Sequence, residues 1–384
     1  MWAAAVLAVV VVAAETGVYE NTGHWLRYGG PLWPLFTWDY GWYEVIANFG
    51  GYPAHNPLTP PYAFFPLWPL LLRASGSIPD WAWAFACVLA SSALAFVGLA
   101  SADPRRSGWR AAVALACWPG SFLLLLAYPD AVALAAAVWA AYFALRGNPW
   151  LAGPIAAVAA AARPNGVLIA IPLALATRSP LLGRAFAAAV PIAAAAAVEI
   201  FFWRRSGDPR AFFHAQALPI WQRNGPARLS KWPGHVADAF QSHAGLLVVG
   251  LVVAAAAVGA ALRLAGRWYA LGVAYAFVVL ALLLGAQSPV TRIQSAIAAV
   301  AFPALVLLWS RWRVYLPWAV FATAVLATSF FSGSVTSFGR QALFAFPLFW
   351  AVGDGPRLLR HPLVVAAAIA ANVAYALTLT RYTP

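Results

Sequence analysis

Apolar residues run through this chain in long uninterrupted blocks, not in the one-faced stripes of soluble helices or the alternation of strands. The blocks cover residues 2–19, 79–101, 110–127, 129–146, 150–162, 164–177, 184–203, 243–265, 267–286, 290–310, 313–331, 338–352 and 361–380. A helix crossing a bilayer needs about 20 mostly apolar residues. These blocks therefore predict an all-α polytopic membrane protein with about 13 spanning helices (roughly 11–13, because some blocks are short). One integral membrane domain over residues 1–384 is expected. The first block resembles a signal-peptide core without its basic flank and reads as a retained first helix.

Two long segments interrupt the blocks, 20–78 and 204–242, and both are rich in Trp, Tyr, Phe, Pro and Gly. Arginines cluster at short loops, at 105–110, 146, 178–184, 263–267, 311–313 and 357–360. Strict alternation of spans puts these clusters on one side, the cytoplasmic one by the positive-inside rule. Both long segments then lie outside, where aromatic rings favour the interface and amphipathic helices rest on the membrane. The pieces 40–50 and 209–223 are the expected interfacial helices.

Composition strengthens the membrane reading: 63% of residues are hydrophobic and only 9% charged, with mean hydropathy +0.76. The net charge of +13 does not imply nucleic acid, because the arginines are dispersed over loop ends and form no continuous stripe. Cys87 and Cys117 sit in apolar blocks and read as small core residues. The six histidines show no metal-ligand spacing.

With only eleven acids, each carries weight. None stands clearly at the middle of a long span, which argues against an ion-coupled transporter. Asp39 sits among aromatics in FTWDYGWYEVIANFGGY, residues 36–52. It reads either as a helix-capping carboxylate or as a general base at the membrane surface. Asp130, after Pro129, has the same capping reading, or is a second acid on the same outer side. Arg163 in ARPNGVL either snorkels to the interface or holds a phosphate through its planar fork. Arg340 in FGRQALFAFPLFW poses the same choice, and Arg204, Arg205 and Arg210 offer further phosphate partners near the outer interface.

Taken in order, the motifs resemble the GPI mannosyltransferase II-like (PIG-V-like) family of the GT-C superfamily of integral membrane glycosyltransferases. The carriers are TWDYGWYEVIANFGGY (37–52), FFPLWPLLLR (64–73), YPDAVAL (128–134), ARPNGVL (162–168), GDPRAFFHAQALPIW (207–221) and FGRQALFAFPLFW (338–350). The first two are the specific ones. Asp130 stands where the family carries Glu, and Gln341 where Tyr is usual. The chain lacks the long extra loops of eukaryotic members, which points to a bacterial relative in the plasma membrane.

The resemblance implies a GT-C-type fold and transfer of a sugar, typically mannose, from a polyprenyl-phosphate carrier. The acceptor would be a hydroxyl on a glycolipid, glycan or protein at the extracytoplasmic face. It implies Asp39 as catalytic base, with inversion at the anomeric carbon. Arg163, Arg340, Arg204, Arg205 and Arg210 become the candidates for the leaving phosphate. Trp38, Tyr40, Trp42, Tyr43, Asn165 and Gln216 become candidates for lining the substrate. No cofactor is certain; Asp39 and Asp130 leave a divalent cation open. The competing readings are a flippase of lipid-linked sugars, which predicts inverted repeats and broken midplane helices, and a non-catalytic membrane scaffold. No internal repeat is evident in the sequence.

Overall fold

The computed structural model describes residues 2–16, 32–37, 39–103, 108–176, 179–221, 289–331, 338–355 and 362–378, with scattered positions between 259 and 274. Every regular element among them is helical. The α-helices, in order, are α1 (Trp2–Glu15), α2 (Asp39–Asn48), α3 (Leu67–Arg73), α4 (Asp80–Ala102), α5 (Trp109–Ala116), α6 (Asp130–Leu145), α7 (Pro149–Ala162), α8 (Ala170–Ala176), α9 (Leu181–Ser206), α10 (Ala211–Gln216), α11 (Pro289–Ser310), α12 (Trp312–Phe331), α13 (Phe338–Phe344), α14 (Pro347–Gly353) and α15 (Pro362–Thr378). Short 3-10 turns separate several of them. Two of the described helices, α4 and α9, are long and apolar enough to cross a membrane. The expected blocks 243–265 and 267–286, residues 17–19 of the first block, and residues 20–31 and 222–242 of the outer segments lie wholly or almost wholly outside the described residues.

Two apolar blocks are not the single helices their hydropathy suggests. Block 110–127 stops at Ala116, turns through Trp118-Pro119-Gly120, and resumes as a 3-10 turn at Ser121–Leu125. Proline cannot continue a helix without losing a bond, and Gly120 takes φ +92, a conformation that favours glycine. Block 338–352 divides into α13 and α14 around Ala345 and Phe346, ahead of Pro347. Block 164–177 likewise opens with a 3-10 turn at Pro164–Ile169 before α8 begins.

The chain packs as two compact units: Met1–Gly108 with Ser121–Arg223 and Ala370–Pro384, and Trp109–Gly120 with Asn224–Ile369. In the first unit α6, α7 and α9 pack successively, with α4 on the other side of α6. Alanine makes the close approach: Ala133, Ala137, Ala140 and Ala144 of α6 and Ala152, Ala156 and Ala159 of α7 are fully buried. Small side chains let helix backbones meet, which is how helices associate without a hydrophobic drive between them. A methyl on Gly153 would lie 3.1 Å from the Ala187 Cα. Asn148 caps α7 by accepting a bond from the Leu151 N–H (3.2 Å), ahead of Pro149 in the first turn. In the second unit Trp318, Trp350 and Phe346 form a buried aromatic cluster, and Trp118 packs edge-on to Phe349.

The tightest approach is at Gly166, in the turn after α7. A methyl there would strike the Ala159 carbonyl and come within 2.7 Å of Ala160 N. Backbone cannot move aside as a side-chain tip can. Gly166→Ala is expected to destabilise the first unit by about 1–3 kcal/mol, read as a lower midpoint of unfolding in detergent. Gly259→Ala, with open space around it, should leave the midpoint within experimental scatter.

Candidate active site at the Asp39 helix

Asp39 is the first residue of α2, and a carboxylate in the first turn is favoured by the helix dipole. Its backbone N–H donates to the Tyr128 hydroxyl (3.1 Å), which in turn donates to the Thr37 carbonyl (2.8 Å). The Ala127 N–H donates to the Leu35 carbonyl (3.0 Å), and Trp68 Nε1 donates to the Ala127 carbonyl (3.0 Å). Three stretches distant in sequence, around residues 36, 68 and 128, are thus tied together by buried and part-buried hydrogen bonds. Leaving such groups unbonded in a dry interior is costly.

Asp130 lies two residues beyond Tyr128 and opens α6. Its carboxylate accepts a bond from Arg163 Nη1. Both side chains are buried, at 5% exposure for Asp130 and 8% for Arg163. Arg163 sits where α7 ends, with extended backbone, so its side chain leaves α7 and meets the start of α6. Neither the capping reading of Asp130 nor the snorkelling reading of Arg163 describes this: each neutralises the other. Burial makes the pairing necessary, because an isolated buried charge is expensive.

Rings fill the space next to α2. Tyr43 lies edge-on to Phe64 at 4.9 Å and tilted to Tyr128 at 6.3 Å. Trp42 lies near-parallel to Phe64 and edge-on to Trp221, both at 6.5 Å. Tyr40 has no exposed surface and meets Phe36 edge-on at 5.1 Å. Gln216 donates to the Ala63 carbonyl (2.9 Å), holding α10 against the 60–65 stretch. Both polar atoms of the Asn165 carboxamide are shielded from solvent and bond to no described residue.

Five of the six sequence motifs meet in the first unit through these contacts. Arg340 belongs to the second unit, and Trp38 lies outside the described residues. Arg204, Arg205 and Arg210 are exposed, and Arg205 Nε donates to the Tyr52 carbonyl (2.8 Å). Glu44, on α2 and 7% exposed, Tyr128 and Arg73 all take part in this region and were not singled out by sequence. The signal for Glu44 was a charged residue within an apolar helical stretch; the signal for Tyr128 was its place in a quoted motif. Burial pushes the Tyr52 hydroxyl up, with Tyr43 and Tyr62 adding to it and the Arg73 charge pulling the other way. Among the described residues no three His, Cys, Asp or Glu gather as a metal site.

The loop after α9 is held by Asp208. Its carboxylate accepts from the Arg210 N–H (2.9 Å) and lies 2.6 Å from His214 Nδ1. The Arg210 N–H, aided by His214, holds the Asp208 carboxyl below the usual range. A carboxyl depressed by folding stabilises the fold above its ordinary pKa, and that contribution is lost as pH falls through the depressed value. Amide-exchange protection across 210–214 is therefore expected to fall on acidification below the ordinary Asp range. In Asp208→Asn it should be weaker at neutral pH and flat across that range; wild-type protection that stays flat would contradict the pairing.

No family model, curated protein or solved structure matches the chain.

Proposed function

We propose that this protein is an inverting membrane glycosyltransferase that moves a sugar, mannose by resemblance, from a polyprenyl-phosphate donor to an acceptor hydroxyl at the extracytoplasmic face. The observation that carries the reading is the convergence around α2. Motifs separated by up to about 180 residues in sequence come together there, and they deliver a partly exposed carboxylate, a buried arginine and a bank of aromatic rings. About 13 spanning helices with interfacial helices in the outer loops, in a bacterial plasma membrane, complete the reading.

In the proposed step Asp39 takes the proton from the acceptor hydroxyl as that oxygen forms a bond to the anomeric carbon. The bond from that carbon to the phosphate oxygen breaks with its electron pair, and polyprenyl phosphate leaves from the opposite side. Guanidinium groups aimed at the developing phosphate charge lower the barrier. Arg163 is the first candidate within the first unit, with Arg204, Arg205 and Arg210 behind it; Arg340, a candidate by resemblance, belongs to the second unit. Trp42 and Tyr43 offer faces to a sugar ring. Asp39 and Asp130 fit a divalent cation poorly, since Asp130 accepts from Arg163, and no step is routed through a metal. Acceptors of the glycolipid, glycan and protein kinds all fit this chemistry.

The test is transfer itself. Purified full chain in nanodiscs, given radiolabelled polyprenyl-phosphate mannose and a host lipid extract, should yield a new labelled product. Well-folded protein that leaves the donor intact with every extract fraction would overturn the reading.

A further inference from the structure

The C-terminal end of α2 and the turn beyond it are held by two arginines. Arg73 closes α3 and donates through Nε to the Ala47 carbonyl (2.6 Å) in the last turn of α2. Arg205, in the last turn of α9, donates through Nε to the Tyr52 carbonyl. Each guanidinium is anchored by one nitrogen. Its Nη groups form no bond to any described residue, and both side chains are exposed. Between the two anchors lie Gly50 and Gly51, both left-handed at φ +110 and +70. Open space surrounds the Cβ position of Gly50, and Arg73 Nη2 lies 3.8 Å from that of Gly51. No described group accepts a bond from the Gly50 or Gly51 N–H. Amides in a glycine turn and guanidinium forks are both oxyanion donors.

The position of these donors separates them from the reaction centre. Helix α2 has 10 residues, so its far end lies about 13 Å from Asp39 at 1.5 Å per residue. A leaving phosphate is joined to the attacked carbon through a single oxygen, so it cannot reach from one end of α2 to the other. Under this inference Arg205 serves a second phosphate at that end. Depth points to the ligand: Arg205 stands one residue before the end of α9, and Arg73 seven residues before the start of α4. These are the two membrane-capable helices. Their ends mark the level where lipid phosphates lie, and arginines there meet headgroups.

We infer that Arg73, Arg205 and the Gly50–Gly51 turn form a binding site for the phosphate of an anionic membrane lipid, distinct from the donor phosphate and set at the far end of the Asp39 helix. The inference rests on the membrane placement of α4 and α9 and not on sugar transfer. Occupancy would tie the α2 C-terminus to α3 and α9, so lipid binding stiffens the helix that carries Asp39.

The test titrates purified full chain, in an uncharged detergent, with phosphatidylglycerol while following its melting temperature. A ligand that binds only the folded chain raises that temperature by mass action. Phosphatidylglycerol should raise it; phosphatidylcholine, whose phosphate is masked by its own ammonium, and inorganic phosphate should not. Arg73→Met and Arg205→Met should each weaken the half-saturating lipid concentration about tenfold, and the double variant about a hundredfold. Arg146→Met, which removes a charge from the loop after α6, should respond as wild type. Where Arg73→Met lowers expression of folded protein, Arg73→Lys keeps the charge and should weaken the response severalfold through loss of the fork. An unchanged titration in the Arg205→Met or Arg73→Lys variant overturns the site. An equal shift from inorganic phosphate overturns the lipid assignment in favour of a soluble anion. Asp39→Asn should keep the full lipid response, so a failure of transfer and a failure of this site are read separately.

Discussion

Asp39→Asn is expected to lower the rate of sugar transfer by roughly 10²–10⁴-fold, the usual contribution of a positioned general base, while the protein stays folded. The Asp39 backbone N–H bonds to Tyr128, and Tyr128 to the Thr37 carbonyl. Asparagine keeps that N–H, has nearly the same volume, and loses the ability to take a proton. The effect should appear in turnover and not in donor affinity, because the carboxylate acts on the acceptor proton as the new bond forms. Asp39→Glu should recover part of the rate, limited by the longer reach. Initial rates with radiolabelled donor, beside the melting temperature of each variant, decide the matter. Transfer at the wild-type rate in folded Asp39→Asn would remove Asp39 as the base and leave a binding or scaffolding role.

The sequence disclosed the all-helical pattern because hydropathy needs no knowledge of contacts. It located α6 and α7 closely for the same reason, α2 through its aromatic-rich amphipathic stretch, and Asp39 and Asp130 at their helix starts through local capping logic. It did not disclose that Asp130 and Arg163 are partners. They are separated by 33 positions, and each had a satisfactory local explanation that stopped short of the other. The breaks at Trp118-Pro119-Gly120 and before Pro347 carried a signal, the prolines, which the smooth hydropathy of both blocks masked. Arg73 had only its place at the end of FFPLWPLLLR as a signal: an arginine ending a short apolar helix becomes informative when Ala47 and Gly51 are seen beside it. Arg340 poses the same choice as Arg163 from its place in the sequence, and neither that place nor motif resemblance says which compact unit a residue joins.

The Arg163–Asp130 pair carries the second large expectation, and it separates two roles that a single substitution would confuse. Arg163→Met leaves the Asp130 carboxylate buried without its cation and is expected to cost about 3–5 kcal/mol. Asp130→Asn strands the guanidinium instead and should cost a similar amount, since both groups are buried. The double variant Asp130→Asn with Arg163→Met removes both charges together. Two apolar or neutral groups of similar size are often as stable as the ion pair they replace, so much of the lost stability should return, giving a coupling free energy of at least about 2 kcal/mol in the cycle. Reversible unfolding in mixed detergent supplies the four values. Near-additive costs would mean that the two side chains do not depend on each other and would contradict the pairing. Transfer by the same four proteins then reads the other role. If Arg163 only anchors α7 to α6, the double variant recovers activity along with stability. If its remaining guanidinium nitrogens also face the donor phosphate, the double variant is folded and still slow, with the loss in turnover where charge develops on the leaving oxygen. The proposed chemistry expects the second result.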